Sequence, residues 1–284
     1  MTADVAADQN ATADLDPVPF ATAIRRTVLQ MCAGRGQGYV GQGLALADVM
    51  AHLYGRALRH RGDGPDRFVL STGHSAVSLF ATLGVLGRYR IDELLTYGWD
   101  GSRIEESPLE GAPGFEITGG ALGHGFSQAV GMALGERLHG GAATVYCLVS
   151  DGEMQEGQVW EAAMSAGHHR LGNLVLLVDN NDMQADGATS SVMGIEPVVE
   201  KLTAFGFEAR RIDPHDHAVL AAELPTGGTR EPQARPLGLV CQTRPGHGSA
   251  TVAALDRVHY VRAPAEFWDR ALADLDTTTG EGGA

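Results

Sequence analysis

Hydrophobic residues along this chain fall into two kinds of pattern. The first is a set of short, near-continuous apolar runs: "RFVLST" (67–72), "TVYCLVS" (144–150), "NLVLLVD" (173–179), "FEARRI" (207–212) and "LGLVCQT" (237–243). A strand with one wet face alternates apolar and polar residues, whereas a strand covered on both faces does not. The second pattern is helical. In "GLALADVMAHLYGRAL", Leu46, Val49, Met50, Leu53 and Ala57 recur on one helical face. Further helices are predicted from about His74, over 123–138, over 155–169 and near 195–205. Strand and helix signals alternate, which predicts an α/β fold: a parallel β-sheet flanked by helices on both faces. One domain is expected over 20–265, after a flexible arm at 1–19. A C-terminal helix and flexible tail should occupy 266–284.

Glycine sharpens one of these helices. Gly131 and Gly135 lie one turn apart within 123–138 and give it a face without side chains. Each glycine costs a helix about 1 kcal/mol against alanine. The bare face therefore predicts a large body packed against it, another backbone included. The segment 223–236 reads as a surface loop. The irregular stretch 244–262 is long for an inert connection, which favours a functional loop.

Composition then removes several classes of function. With 35 acidic and 21 basic residues the net charge is −14. That argues against a nucleic-acid or anionic-membrane surface, since neutralising phosphates takes clustered Lys and Arg. Cys32, Cys147 and Cys241 are far apart and form no CxxC; they read as buried free thiols of a reducing compartment. No apolar run nears the ~18 residues of a membrane span. The opening "MTADVAADQNATADLDPVP" lacks the basic start and apolar middle of a signal peptide. A cytoplasmic protein with no membrane partner is expected.

Ligands of an open parallel sheet bind beyond the carboxyl ends of its strands. Four breaks fall there: "STGH", "SDGE", "DNNDMQADG" and "TRPGHG". Asp151 ends one strand and Asn181 the next, with one helix between, so neighbouring βα units should bring their side chains together. A carboxylate and an amide oxygen are hard donors. With a backbone carbonyl, a water and phosphate oxygens they complete the octahedron that Mg²⁺ takes. Gly152 lets a phosphate approach the backbone, and the helix that follows offers free N–H groups and a positive dipole end. No GxGxxG opens the first βα unit, which disfavours a dinucleotide site.

The "DG" and "NN" breaks, spaced as they are, match the diphosphate motif of thiamine-diphosphate enzymes, with Ser150 where a Gly is usual. Together with "STGHSAVSLFATL", "PGFEITGGALGHGFSQAVGMALG", "SDGEMQEGQVWEAAMSAGHHRLGNLVLLVDNNDMQADG" and "AFGFEARRID" they carry a wider resemblance. From about residue 20 to 265 the chain resembles the N-terminal, diphosphate-binding half of transketolase. The resemblance implies thiamine diphosphate and Mg²⁺ as cofactors, with Asp151, Asn181 and the backbone carbonyl of Met183 as metal ligands. It implies diphosphate and ring contacts from Gly120, Leu122, His124, Gly152 and Glu153. His74 and His259 match histidines beside the diphosphate and the reaction centre, and Tyr39 joins them as a candidate for proton handling. Glu156 and Glu161 match carboxylates where the family's subunits meet.

Departures from the family are informative. A full transketolase carries two further domains, including the one whose glutamate protonates the aminopyrimidine ring, and no residue here takes that role. A split enzyme is therefore expected. Its partner would be a separate chain resembling the transketolase C-terminal half and supplying the pyrimidine-binding domain, in an α2β2 heterotetramer. Tyr39 stands where the family has a histidine, and Ser107 where many members bind the donor sugar with one. The pieces "GYVGQGL", "VMGIEP" and "HYVRAP" look most like two-chain transketolases, such as the apulose-phosphate type and those of secondary metabolism. The implied reaction moves a two-carbon ketol group from a ketose donor to an aldehyde acceptor. Two other readings stay open: another thiamine-diphosphate reaction (2-oxoacid dehydrogenase or 1-deoxyxylulose-phosphate synthase-like), and a catalytically silent subunit that binds a partner.

Overall fold

The computed structural model describes residues 15–59 and 65–278. Its strands are β1 (Gln37–Gly38), β2 (Arg67–Leu70), β3 (Val145–Ser150), β4 (Leu174–Asp179), β5 (Glu208–Ile212), β6 (Leu237–Cys241) and β7 (Val261–Arg262). Its first six helices are α1 (Pro17–Arg35), α2 (Val40–Ala45), α3 (Ala47–His52), α4 (Ala76–Val85), α5 (Ile91–Leu94) and α6 (His124–Leu138). Six more follow: α7 (Gly157–His168), α8 (Thr189–Met193), α9 (Val198–Ala204), α10 (His217–Glu223), α11 (Ala250–Ala253) and α12 (Ala265–Thr278).

Five strands form one parallel sheet in the order β2-β3-β4-β6-β5, and β1 and β7 make a small antiparallel pair. Alternate side chains of the sheet enter two separate cores. Phe68, Leu70, Tyr146, Leu148, Val175 and Leu177 pack into one core, roofed by α1, α3, α4 and α12. Val69, Val145, Cys147, Val149, Leu174 and Leu176 pack into the other, under α6, α7 and α9. Burial on both sides is the physical reason the runs of β2, β3, β4 and β6 do not alternate; β5, at the sheet edge, instead leaves Glu208 and Arg211 exposed, against the expectation of a covered strand. The three cysteines are buried free thiols.

Three features differ from the sequence expectation. Helix α1 was not read from the sequence, although Phe20, Ile24, Val28 and Met31 all lie buried on it. It opens at Pro17, inside the stretch assigned to a flexible arm, because Asp16 caps it by accepting from the Val18 N–H at 3.1 Å. The rest of that arm (1–14) and most of the expected tail (279–284) lie outside the described residues. The single amphipathic helix expected after Gly43 is instead α2, α3 and a wider turn at Leu53–Ala57. Its opposite face is buried too and carries Asp48 and His52 into the interior.

Candidate active site at the strand ends

Parallel register sets Ser150 of β3 beside Asp179 of β4, and the Asp151 N–H still donates to the Asp179 carbonyl at 3.0 Å. The two breaks seen in the sequence therefore meet. Asp151 is almost fully buried. Its Oδ1 accepts from the Gly152 N–H at 2.8 Å, and its Oδ2 from the Thr189 hydroxyl at 2.8 Å. Asn181 turns its Oδ1 to the Met183 N–H (2.8 Å) and donates through Nδ2 to Asp179 Oδ2 (3.0 Å). The other Asp179 oxygen accepts from Thr243, in the loop after β6. Asp182, at φ 53°, accepts from both the N–H and the hydroxyl of Ser190 and so closes the Met183 loop on itself.

No cationic side chain of the described residues is among the partners that shift Asp151 or Asp179. Burial pushes the Asp151 carboxyl up to about 6. Burial, then the charge of Asp151, pushes Asp179 to about 7. Two buried acids without a counter-ion, beside an amide oxygen, are a donor set suited to a hard divalent cation. Packing gives no reason for glycine at 152: a Cβ there would meet only Gln184 side-chain atoms, at an ordinary 3.5 Å.

Glu153 anchors the loops around the site. It is wholly buried, and its carboxylate accepts from the Ser71 hydroxyl, the Gly123 N–H (2.8 Å) and the Ser150 N–H (2.9 Å). Its side chain ties the ends of β2 and β3 to the start of α6.

Tyr39, His74 and His259 come from three distant parts of the chain into one aromatic cluster. The His74 and His259 ring centroids lie 5.1 Å apart, and Tyr39 lies 5.7 and 5.6 Å from them. Tyr260 packs edge-on to Tyr39 at 4.8 Å and donates to Glu106 at 2.7 Å. Burial, and then the neighbouring His259, lowers His74 to about 3; burial also lowers His259. Burial and then Glu106 raise the Tyr39 hydroxyl. At neutral pH the imidazoles are uncharged and able to take a proton. A cavity of about 380 Å³ joins this cluster to the Met183 loop; Tyr39, Met183, Gln184, Arg257, His259 and Tyr260 line it.

The remaining candidates edge the site. Gly120, at φ 119°, lies so close to the Gly73–His74 turn that a Cβ on Gly73 would come within 2.7 Å of its nitrogen. Leu122 is exposed, and its carbonyl and the His124 Nδ1 both face the Gln158 amide at 3.1 Å. Ser107 is half-buried on the same rim, where the Gly119 N–H donates to the Pro108 carbonyl. Glu156 and Glu161 are exposed on the outer side of α7, with Met164 also exposed on that helix. Sequence reasoning missed Asp179, Thr189, Thr243, Tyr260 and Glu106. Asp179, Tyr260, Glu106 and Thr243 each adjoin or open a stretch singled out in the sequence ("VDNND", "VHY", Ser107 and "TRPGHG"), but their pairings appear only through folding.

Comparison with known proteins decides the family. The family described as "Transketolase, thiamine diphosphate binding domain" matches residues 19–266. This chain belongs to the transketolase family. It is 43% identical over 260 residues to the transketolase family protein y4mO of Sinorhizobium fredii, covering 89% of this chain and 92% of the relative. It is 36% identical over 264 residues to the 6-deoxy-6-sulfo-D-fructose transketolase subunit SqwG of Clostridium sp., covering 90% and 94%. Among solved structures, the transketolase from Leishmania mexicana superposes with a TM-score of 0.79 at 28% identity, covering 94% of this chain. The present transketolase-family chain spans 41% of that larger one.

Proposed function

We propose that the chain is the diphosphate-binding subunit of a two-chain transketolase, moving a two-carbon ketol group from a ketose donor to an aldehyde acceptor. The observation that carries this reading is the pair of uncompensated buried acids at the ends of β3 and β4, set beside a cavity walled by Tyr39 and His259. Mg²⁺ would be held by Asp151, Asn181 and the Met183 carbonyl. The Gly152 backbone, free of close packing, would face the diphosphate. Gly120 and Leu122 would offer backbone groups to the aminopyrimidine ring, with His124 beside them. When bound, thiamine diphosphate supplies the carbon nucleophile and electron sink of the reaction.

The chain's own residues bind, orient and move protons. His74 and His259, uncharged through burial, would accept and return the proton of a donor hydroxyl. Tyr39, with its raised hydroxyl, would orient that group by hydrogen bonding.

The partner would be a chain resembling the C-terminal half of transketolase, in an α2β2 assembly. Two observations support a partner: the chain covers 94% of a relative named as a subunit, and the Gly131–Gly135 face has no atom within 4 Å of an added Cβ. Glu156 and Glu161, exposed at the start of and on the neighbouring α7, are candidate contacts with that partner. We place the protein in the cytoplasm, in keeping with three free buried thiols; among the described residues no helix is long and apolar enough to cross a membrane.

The test is reconstitution. Chain, partner, Mg²⁺, thiamine diphosphate and a panel of ketoses should release aldehyde products, and Asp151→Ala should abolish the release. Turnover of pyruvate with carbon dioxide release, and none from ketoses, would replace this reading with a 2-oxoacid reaction. Activity unchanged in Asp151→Ala would make this chain a silent partner-binding subunit.

A further inference from the structure

The loop after β6 touches the candidate site at one end and a buried charge at the other. At the site end, the Thr243 hydroxyl donates to Asp179 Oδ1, and the Gln242 amide donates to the Asn180 carbonyl at 2.9 Å. Asp179 Oδ2 in turn accepts from the Asn181 amide at 3.0 Å. Asn181 stands beyond the last residue of β4, so these side-chain contacts, and not the strand ladder, direct it.

At the far end sits His215, whose side chain is 1% exposed. Its Nε2 accepts from the Arg244 N–H at 3.0 Å. The ring proton therefore lies on Nδ1, which donates to Asp48 Oδ2 at 2.8 Å. Asp48 is 1% exposed; Arg25 donates to the same oxygen, and the other oxygen lies 3.3 Å from His217 Nε2. Arg25 also donates through Nε to the His247 carbonyl at 3.1 Å, and the Gly246 N–H donates to the Gly41 carbonyl at 2.9 Å. The loop is thus fastened to α1, α2 and α3 on one side and to the end of β4 on the other. A buried ion pair adds little net stability, and its best-attested use is to fix one arrangement of the chain. A histidine held between a carboxylate and a backbone N–H keeps one tautomer and one ring orientation.

We propose that His215, oriented by Asp48 and Arg25, is a positioning residue for the site: it sets the Arg244 backbone and, through the adjoining Thr243 and then Asp179, the direction of the Asn181 side chain. The inference rests on the function proposed above, in which Asn181 holds Mg²⁺. Losing the outer partner of a metal ligand typically costs about 10–100-fold in metal affinity. His215 stands further out, behind Thr243 and Asp179, so its effect belongs at the low end of that range.

Two substitutions divide the imidazole. His215→Gln places an amide oxygen near the position of Nε2 and keeps an acceptor for Arg244. His215→Asn keeps a donor for Asp48 and gives up Arg244. The readout is residue-resolved amide exchange of the full, cofactor-free chain at Met183, whose N–H donates to Asn181 Oδ1 at 2.8 Å. His215→Asn should speed that exchange about five- to tenfold, the worth of one hydrogen bond, with Leu176 in the middle of β4 unchanged. His215→Gln should restore most of the protection. Thr243→Val, which cuts the path beyond His215, should free Met183 while Arg244 stays protected. A Met183 rate unchanged in His215→Asn or in Thr243→Val overturns the proposal. So does a rise matched at Leu176, or one as large in His215→Gln as in His215→Asn. In the reconstituted pair, His215→Asn should raise the Mg²⁺ needed for half-saturation with thiamine diphosphate about tenfold; an unchanged requirement overturns the link to the metal. Failure of the transketolase reading itself looks different: the unaltered pair would bind no Mg²⁺ with thiamine diphosphate, while the exchange pattern of the free chain would still decide whether His215 directs Asn181.

Discussion

Asp151 is a residue whose cost and use can be separated. Its carboxyl is raised to about 6 by burial, so at pH 8 the metal-free protein holds a charge it disfavours. Asp151→Asn should leave the metal-free chain as stable or more stable, by about 1–3 kcal/mol. Under the proposed function, Mg²⁺ with thiamine diphosphate should raise the melting temperature of the unaltered chain, and Asp151→Asn should erase that rise. Glu153 predicts the reverse behaviour. Since its buried oxygens serve three loops, Glu153→Ala should destabilise by about 2–4 kcal/mol, visible in urea melts with or without cofactor. His74 sets a pH dependence. Its folded pKa, about 3, lies below the ordinary histidine value of 6.5. The unfolded chain therefore binds the extra proton first, and stability falls as pH drops from about 6.5 toward 3. His74→Gln should flatten that slope in melting curves taken across the window. At this scale the sequence was legible in placing the breaks at Asp151 and Asn181 side by side. It was not legible where one side chain answers another across the fold, as Thr243 answers Asp179 and Glu106 answers Tyr260.

Among the elements, α6 shows two uses of glycine. At Gly125 an added Cβ would come within 2.6 Å of the Ser71 backbone and side chain, so the first turn of α6 sits directly on the end of β2. At Gly131 nothing lies within 4 Å. Gly125→Ala should therefore destabilise the isolated chain and disturb the Glu153 strut. Gly131→Ala should leave the isolated chain unchanged or stabilise it by about 0.5–1 kcal/mol, while weakening binding of the partner chain in a titration. The apolar runs disclosed β2, β3, β4 and β6 within a few residues, because both faces of these strands are buried; β5 lies exposed at the edge, and β1 and β7 are too short to leave a run. The α2–α3 region was misread for the complementary reason. Its "polar" side, with Asp48 and His52, is enclosed by α1, α10 and the loop after β6, and that enclosure appears only once those pieces are placed.

For the whole molecule, the parallel order of the sheet explains why distant motifs converge. Each strand of that sheet delivers its carboxyl end to one edge, where Ser150 and Asp179 adjoin, while the separate antiparallel β1–β7 pair brings Tyr39 to His259. That edge is open on the side of α6 and α7, where Leu122 and Met164 are exposed at 41% and 56%. The chain alone should show no ketol transfer, and activity should rise with added partner to a fixed subunit ratio, measured by aldehyde release alongside light scattering. A partner chain was an expectation drawn from the resemblance; donor and acceptor were not legible, because no motif of the chain marks a particular sugar.

The bare stretch of α6 has a further consequence in the cell. A helix whose backbone is wetted through Gly131 and Gly135 opens locally more often than its neighbours. A copy of this chain that lacks its partner then presents a cleavable segment near 131–138, which docking would cover. Limited proteolysis should cut the lone chain there first and spare it in the complex. If the proposed partner docks on this face, the difference in cleavage would report that docking without any substrate.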